Sequence, residues 1–322
     1  MDPSFHEARQ RFTKPKPVNS PFKSTKFQRQ LARNPYARAL ATPPRRCPIS
    51  CSTLPNFFLE RFALIAHPDT RQPWFVPQDL ESKASGTAGA TAEPRQGIRT
   101  GPSAYVLSRQ LLFQELKRGD SPYHSAHKRL FRMSDHGQSR LPLVLKQASW
   151  RSDMDTFILE LIRRRVVESL LHFATISEKE GRKKYLVKCE TWDGVKELKH
   201  RGCLLFLGRQ EGGCSDSEPE SPPPRLSTMT IDGVKFGRKL AVHNLMVLLG
   251  EEHTARLRRE SWLLRDGSLF LLGRQATVKL QMLLWKLQGY MAWGKTPGTE
   301  SLNVSQPENE PATRKPPMDP PK

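Results

Sequence analysis

The apolar residues of this chain fall into two kinds of pattern. Met154, Phe157, Ile158, Leu161 and Ile162 recur at helical spacing, which predicts a helix over about 153–173 opened by a capping-box variant at Ser152-Asp153-Met154-Asp155. The stripe blurs after Arg165. Short unbroken apolar runs at 185–189, 203–207 and 268–272 predict strands, as does 226–231. Asp232-Gly233 is a hairpin signal leading into Val234-Lys235-Phe236. Further helices are predicted from after Ser103 to Lys117, over 192–200, over 238–249 ending at Gly250, over 251–263 and over 275–291. The class expected is α+β, a small mixed body with a long extended basic N-terminal arm and a disordered C-terminal tail.

Outside the body, periodicity fails. Residues 1–55 alternate basic side chains with Pro, Ser, Thr and Asn, and their prolines are expected to block regular helix. A segment that buries so little apolar area is expected to stay extended. Residues 56–79 hold the first apolar cluster and the run Pro73-Trp74-Phe75-Val76-Pro77, and read as an aromatic and proline-rich docking element. A linker follows at 80–102. The body is then expected over 103–210 and 225–294, split by an acidic, Pro/Ser-rich insertion at 211–224 and followed by a tail at 295–322.

One internal echo stands out. Leu204-Leu205-Phe206-Leu207-Gly208-Arg209-Gln210 resembles Leu269-Phe270-Leu271-Leu272-Gly273-Arg274-Gln275. A duplicated unit would present Arg209 and Arg274 at a common edge. Two ordinary buried strands with polar exits are the simpler account.

Charge changes the picture most. The 322 residues carry 52 Lys+Arg against 32 Asp+Glu, a formal net charge of +20, which points to a polyanionic partner. Residues 8–59 contain eleven basic side chains and no carboxylate. Spaced Lys and Arg neutralise phosphates, while Phe and Tyr stack on unpaired bases, so this segment is expected to bind RNA. Arg29, Arg33, Arg38, Arg45 and Arg46 are the expected phosphate contacts, with Tyr36 available to stack. Arg163 and Arg164 point away from the apolar stripe of their helix and join the list, set against the alternative of a solvated face paired with Glu160 and Glu168. Arg256, Arg258 and Arg259 form a second basic run. A basic, Ser-rich, acid-poor N-terminus also partly fits an organellar address, although Asp2, Glu7 and the prolines make a poor amphipathic presequence.

Other chemistry finds little support. Gly289 to Thr296 matches the P-loop letter for letter, but that motif works between a strand and a helix, and here a helix precedes and Pro297-Gly298 follows. Cys47 and Cys51 have a possible metal spacing, with His67 or His124 and His127 as further ligands, yet a zinc site needs four closed ligands and two plain thiols account for the pair. No nucleophile elbow or metalloprotease spacing occurs. The expectation is a non-enzymatic protein with no cofactor, no metal, no small-molecule substrate and no membrane span. Five cysteines are too few and too odd for a disulfide framework.

Residues 33–47, from Arg33-Asn34-Pro35-Tyr36 to Pro44-Arg45-Arg46-Cys47, together with Leu54-Pro55, His67-Pro68 and the 73–77 run, resemble fungal organelle-specific mitochondrial ribosomal proteins, with the small-subunit type favoured. Gly273-Arg274-Gln275 running into 278–287 adds to the likeness. The resemblance implies a structural constituent in the mitochondrial matrix that binds ribosomal RNA through its arm and packs its body on neighbouring ribosomal proteins. An alternative within the same setting is an assembly or translation factor that binds RNA transiently.

Overall fold

The computed structural model describes residues 25–67, 70–80, 103–131, 147–179, 185–189, 195, 202–208, 227–230, 239–265, 269–272 and 275–292. The arm residues 1–24, the linker expected at 80–102 except Leu80, which is buried at the end of a 3-10 turn, the insertion at 211–224, the tail at 295–322 and the hairpin at 232–236 lie outside them. So does the expected helix at 192–200, except for Val195, which is buried.

The expected α+β body is present, and one long helix organises it. To keep labels in chain order, the N-terminal segment comes first: α1 is Lys26–Arg33, α2 is Pro35–Leu40, β1 is Pro44–Arg46 and β2 is Thr53–Pro55. β3 (Leu59–Ala66), β4 (Pro73–Pro77), β5 (Ser103–Leu107) and α3 (Gln110–Lys117) follow. The long helix, α4, is Met154–Lys179, 26 residues or about 39 Å. Met154, Ile158, Ile162, Val166, Leu170 and Ala174 are buried along it at strict i,i+4 spacing. Leu159 and Val167 are buried beside that row, so the stripe does not stop at Arg165 but widens, because neighbours cover more than one face. Each fully buried Ile or Leu contributes about 1.5–3 kcal/mol.

Two sheets flank this helix. The smaller has order β4-β3-β5, antiparallel throughout, with Leu64 opposite Phe75 and Phe62 opposite Ala104. The larger is built from β6 (Leu186–Cys189), β7 (Cys203–Phe206), β8 (Ser227–Thr230), β9 (Lys239–Asn244) and β10 (Leu269–Leu272), in order β6-β10-β7-β9-β8. Only β7 and β9 pair in parallel. β7 is buried along its whole length: Cys203 and Leu205 face the main core, while Leu204 and Phe206 face a second cluster with Leu240 and Val242. A strand covered on both faces reads as an unbroken apolar run, which is why its sequence marked it correctly. Four helices complete the body: α5 (Leu245–Leu249), α6 (Glu251–Glu260), α7 (Trp262–Arg265) and α8 (Val278–Tyr290). α8, α3 and α6 all pack on α4, and no helix among the described residues is long and apolar enough to cross a membrane.

Four expectations are corrected. First, residues 25–55 are not an extended arm. They form α1, α2 and the β1–β2 pair, with Ala39 and Cys47 fully buried. Thr25 and Gln28 make a reciprocal capping box, with Gln28 Oε1 accepting from Thr25 N–H at 2.9 Å and Thr25 Oγ1 accepting from Gln28 N–H at 3.2 Å. Asn34 caps α2 by accepting from Tyr36 N–H at 2.9 Å, and Pro35 takes the first helical position, where a missing N–H costs nothing. Second, residues 56–79 are not a separate docking element, because β3 and β4 are two of the three strands in the smaller sheet, with Phe62 and Phe75 in the main core. Third, 103–107 is strand rather than helix. Ala104 and Val106 alternate inward against β3, and the helix begins only at Gln110. Fourth, 239–244 is strand: Leu240 and Val242 share one face by the same two-residue period, and Asn244 then caps α5 by accepting from Val247 N–H at 3.3 Å.

The internal echo also resolves. β7 and β10 are neighbours, with Leu204 opposite Leu271 and Phe206 opposite Leu269, but they run antiparallel. The two strands therefore end at opposite ends of the sheet, and Arg209 and Arg274 themselves lie outside the described residues. At the P-loop match, Gly289 and Tyr290 lie inside α8. Tyr290 is fully buried and donates to Asp155 O at 2.8 Å, so the helical context found in the sequence holds.

Candidate nucleic-acid interface

The N-terminal segment is folded onto the body by aromatic packing. Tyr36 meets Trp285 of α8 edge-on at 4.8 Å between ring centroids, and Phe57 and Phe58 pack on the same indole at 5.3 and 5.4 Å. Burial raises the Tyr36 phenol above its ordinary pKa. Its ring anchors the segment on Trp285 through one edge, and 40% of the residue stays open to solvent. The anchor turns the rest of the segment outward. Arg29, Arg33, Arg38, Arg45 and Arg46 are all exposed, and none forms an ion pair among the described residues. Arg45 has its guanidinium 5.7 Å from the centre of the Tyr105 ring, a cation–π distance that leaves the group on the surface. Arg29 and Arg33 sit one turn apart on α1, beside exposed Phe27 and Leu31. Among the described residues these five arginines have no carboxylate to release before an anion could meet them.

The two arginines on α4 are placed differently. Arg163 turns its Nε to Leu248 O at 2.9 Å and satisfies a carbonyl at the C-terminus of α5. Its guanidinium lies 3.6 Å from where a Cβ on Gly250 would stand, and burial lowers its pKa. It is occupied as a structural clasp. Arg164 pairs with Glu168 at 3.3 Å on a half-exposed face, the plain alternative read from the sequence. Glu160 is taken instead by His253, at 2.8 Å.

Sequence reading missed a cavity of about 620 Å³ at α5–α7. Met246, Glu251, Thr254, Arg258, Arg259 and Arg265 line it. Arg258 reaches across to donate its Nη2 to Leu207 O at 2.8 Å and to Gly208 O at 3.0 Å, which fixes its guanidinium, while its buried Nε has no hydrogen-bond partner. Arg256, the other member of that basic run, is paired with Glu260 at 2.8 Å. The basic run was visible in the sequence. Its convergence with Arg265 and the end of β7 was not.

The thiol and histidine candidates do not converge. Cys47 is buried, and its Sγ accepts from Leu107 N–H and Ser50 N–H, both at 3.4 Å, while Cys51 is exposed. His127 stacks on Trp150 at 5.0 Å, and burial lowers its pKa to about 4. Among the described residues no group of three or more His, Cys, Asp or Glu gathers to hold a metal. Comparison with protein-family models, curated proteins and solved structures found no match to this chain.

Proposed function

We propose that this protein is a structural constituent of the mitochondrial ribosome that binds ribosomal RNA through its basic N-terminal segment and neighbouring ribosomal proteins through its α+β body. One observation carries the RNA reading: Arg29, Arg33, Arg38, Arg45 and Arg46 stand exposed, with no ion pair among the described residues, on a segment clamped to the body through Tyr36 and Trp285. Clamping reduces the ordering cost of presenting those charges to a phosphate backbone. The mitochondrial setting rests on the resemblance of residues 33–77 to fungal mitochondrial ribosomal proteins. In this role the protein is not an enzyme.

Sedimentation of the tagged protein through sucrose gradients tests the proposal. A constituent stays with one ribosomal subunit at high salt, and washing off would assign it to the assembly or translation factors. Replacing Arg33, Arg38, Arg45 and Arg46 with Gln should lower the salt dependence of RNA binding by about three in log–log slope for a single strand. A mature chain beginning beyond Arg46 with no RNA attached would overturn the role of the segment.

A further inference from the structure

We propose that the α5–α7 cavity is a second RNA site, taking a backbone phosphate of an unpaired strand while an adjoining base stacks on Trp262. This deepens the RNA-binding reading above and rests on it. Arg258, Arg259 and Arg265 line the cavity, with Glu251 the one carboxylate among the described lining residues. Arg258 is held in place by two carbonyls and keeps a buried Nε without a partner. Arg259 and Arg265 are exposed and joined to no carboxylate among the described residues. One held guanidinium with two further arginines around the same cavity suits phosphate oxygens, which accept several charge-assisted bonds at once.

The aromatic neighbour sets the class of partner. Trp262 is 65% exposed, an unusual placement for the largest side chain. It stands three residues before Arg265 on α7, so the indole and the guanidinium share one side of that helical turn. Phosphate-binding arginines beside a free aromatic face are the combination used for single strands, whose bases are open to stacking. Duplex RNA keeps its bases stacked on one another and gains little from the indole.

The test measures binding of the full-length protein to a single-stranded RNA oligonucleotide over a salt series, with a duplex of the same length alongside. Arg259→Gln with Arg265→Gln should lower the log–log salt slope for single strands by about 1.4. Trp262→Ala should weaken single-strand binding roughly 5- to 100-fold and leave duplex binding nearly unchanged. All three side chains are exposed, so circular dichroism and the melting temperature should stay at wild-type values. Unchanged affinity and slope in both variants, with the N-terminal Arg→Gln variant still defective, would overturn this site and leave the RNA-binding role standing. A wild-type protein that binds no RNA would sink the role itself. Binding of inorganic pyrophosphate, or of phosphatidylserine vesicles, that is lost in Arg259→Gln with Arg265→Gln while RNA binding is unaffected would reassign the cavity and refute the proposal.

Discussion

Lys286 and Glu60 offer the sharpest test of how the N-terminal half is tied to α8. Glu60, on β3, is fully buried, and Lys286 Nζ lies 2.9 Å from its Oε1. Ser108 Oγ donates to the same oxygen at 2.8 Å, and Lys286 also donates to Leu59 O at 3.3 Å. Glu60 Oε2 has no partner, so no other group is positioned to take over the charge. At an effective dielectric of about 20, unit charges at this separation attract by about 6 kcal/mol. Lys286→Met removes that attraction and recovers part of the cost of desolvating the ammonium, whose side chain is only 12% exposed. The net loss expected is about 3–5 kcal/mol, the usual result of stranding one member of a buried pair. Glu60→Gln with Lys286→Met removes both charges and should lie within about 1 kcal/mol of wild type. Urea unfolding followed by tryptophan fluorescence measures all four corners of this double-mutant cycle. A Lys286→Met loss below about 1 kcal/mol, or a double variant as unstable as the two single losses added together, would refute the reasoning.

Three other outcomes follow from the same geometry. His243 is 2% exposed with an unpartnered Nδ1, and burial pulls its pKa down to about 4, partly opposed by a hydrogen bond with Gln288. The folded pKa lies below the unfolded value, so unfolding takes up a proton: stability is level above about pH 6.5, falls as pH drops towards 4, and loses about 3 kcal/mol there, a slope that thermal melts of His243→Gln should flatten. Gly208→Ala should cost about 1–2 kcal/mol in chemical denaturation, since φ is +69° and the new Cβ would stand 2.7 Å from Met246 Sδ; Met246→Ala should return the steric part only. Tyr36→Ala should speed amide exchange over residues 26–46 at least several-fold while the amides of α4 keep their wild-type rates, and equal acceleration in both regions would contradict a local anchor.

The body was largely legible where one environment acted on a whole segment. β7 announced itself because both of its faces are covered, and α4 because Met154, Ile158 and Ile162 open its inward row at i,i+4 spacing, although the stripe blurs where neighbours cover more than one face. The misreadings share a cause, which is that mixed signals were settled by composition. Pro35 counted as a helix breaker, although Asn34 before it is a helix cap and proline is welcome at the first position. In 103–107 and 239–244 three or four apolar residues fit either period, and pairing with β3 or β7 decided between them. The interface shows the same division. The exposed arginines of the N-terminal segment were readable from the missing carboxylates. The contact of Tyr36 with Trp285 spans about 250 residues of chain, and the cavity needed β7 to end beneath Arg258.

The strand order carries a consequence for how the chain is made. β10 is the last of the described strands to be synthesised, yet it lies between β6 and β7. Until Leu269–Leu272 leaves the exit tunnel, β6 lacks its one strand neighbour among the described residues and β7 has one bare edge. At about 5–20 residues per second, the stretch from Phe206 to Leu269 takes several seconds to translate. Through that interval the nascent chain presents unpaired apolar strands, the form of exposed edge that invites pairing with another molecule. Nascent chains stalled before residue 269 are therefore the species that should recruit chaperones, and release beyond residue 272 should end that dependence.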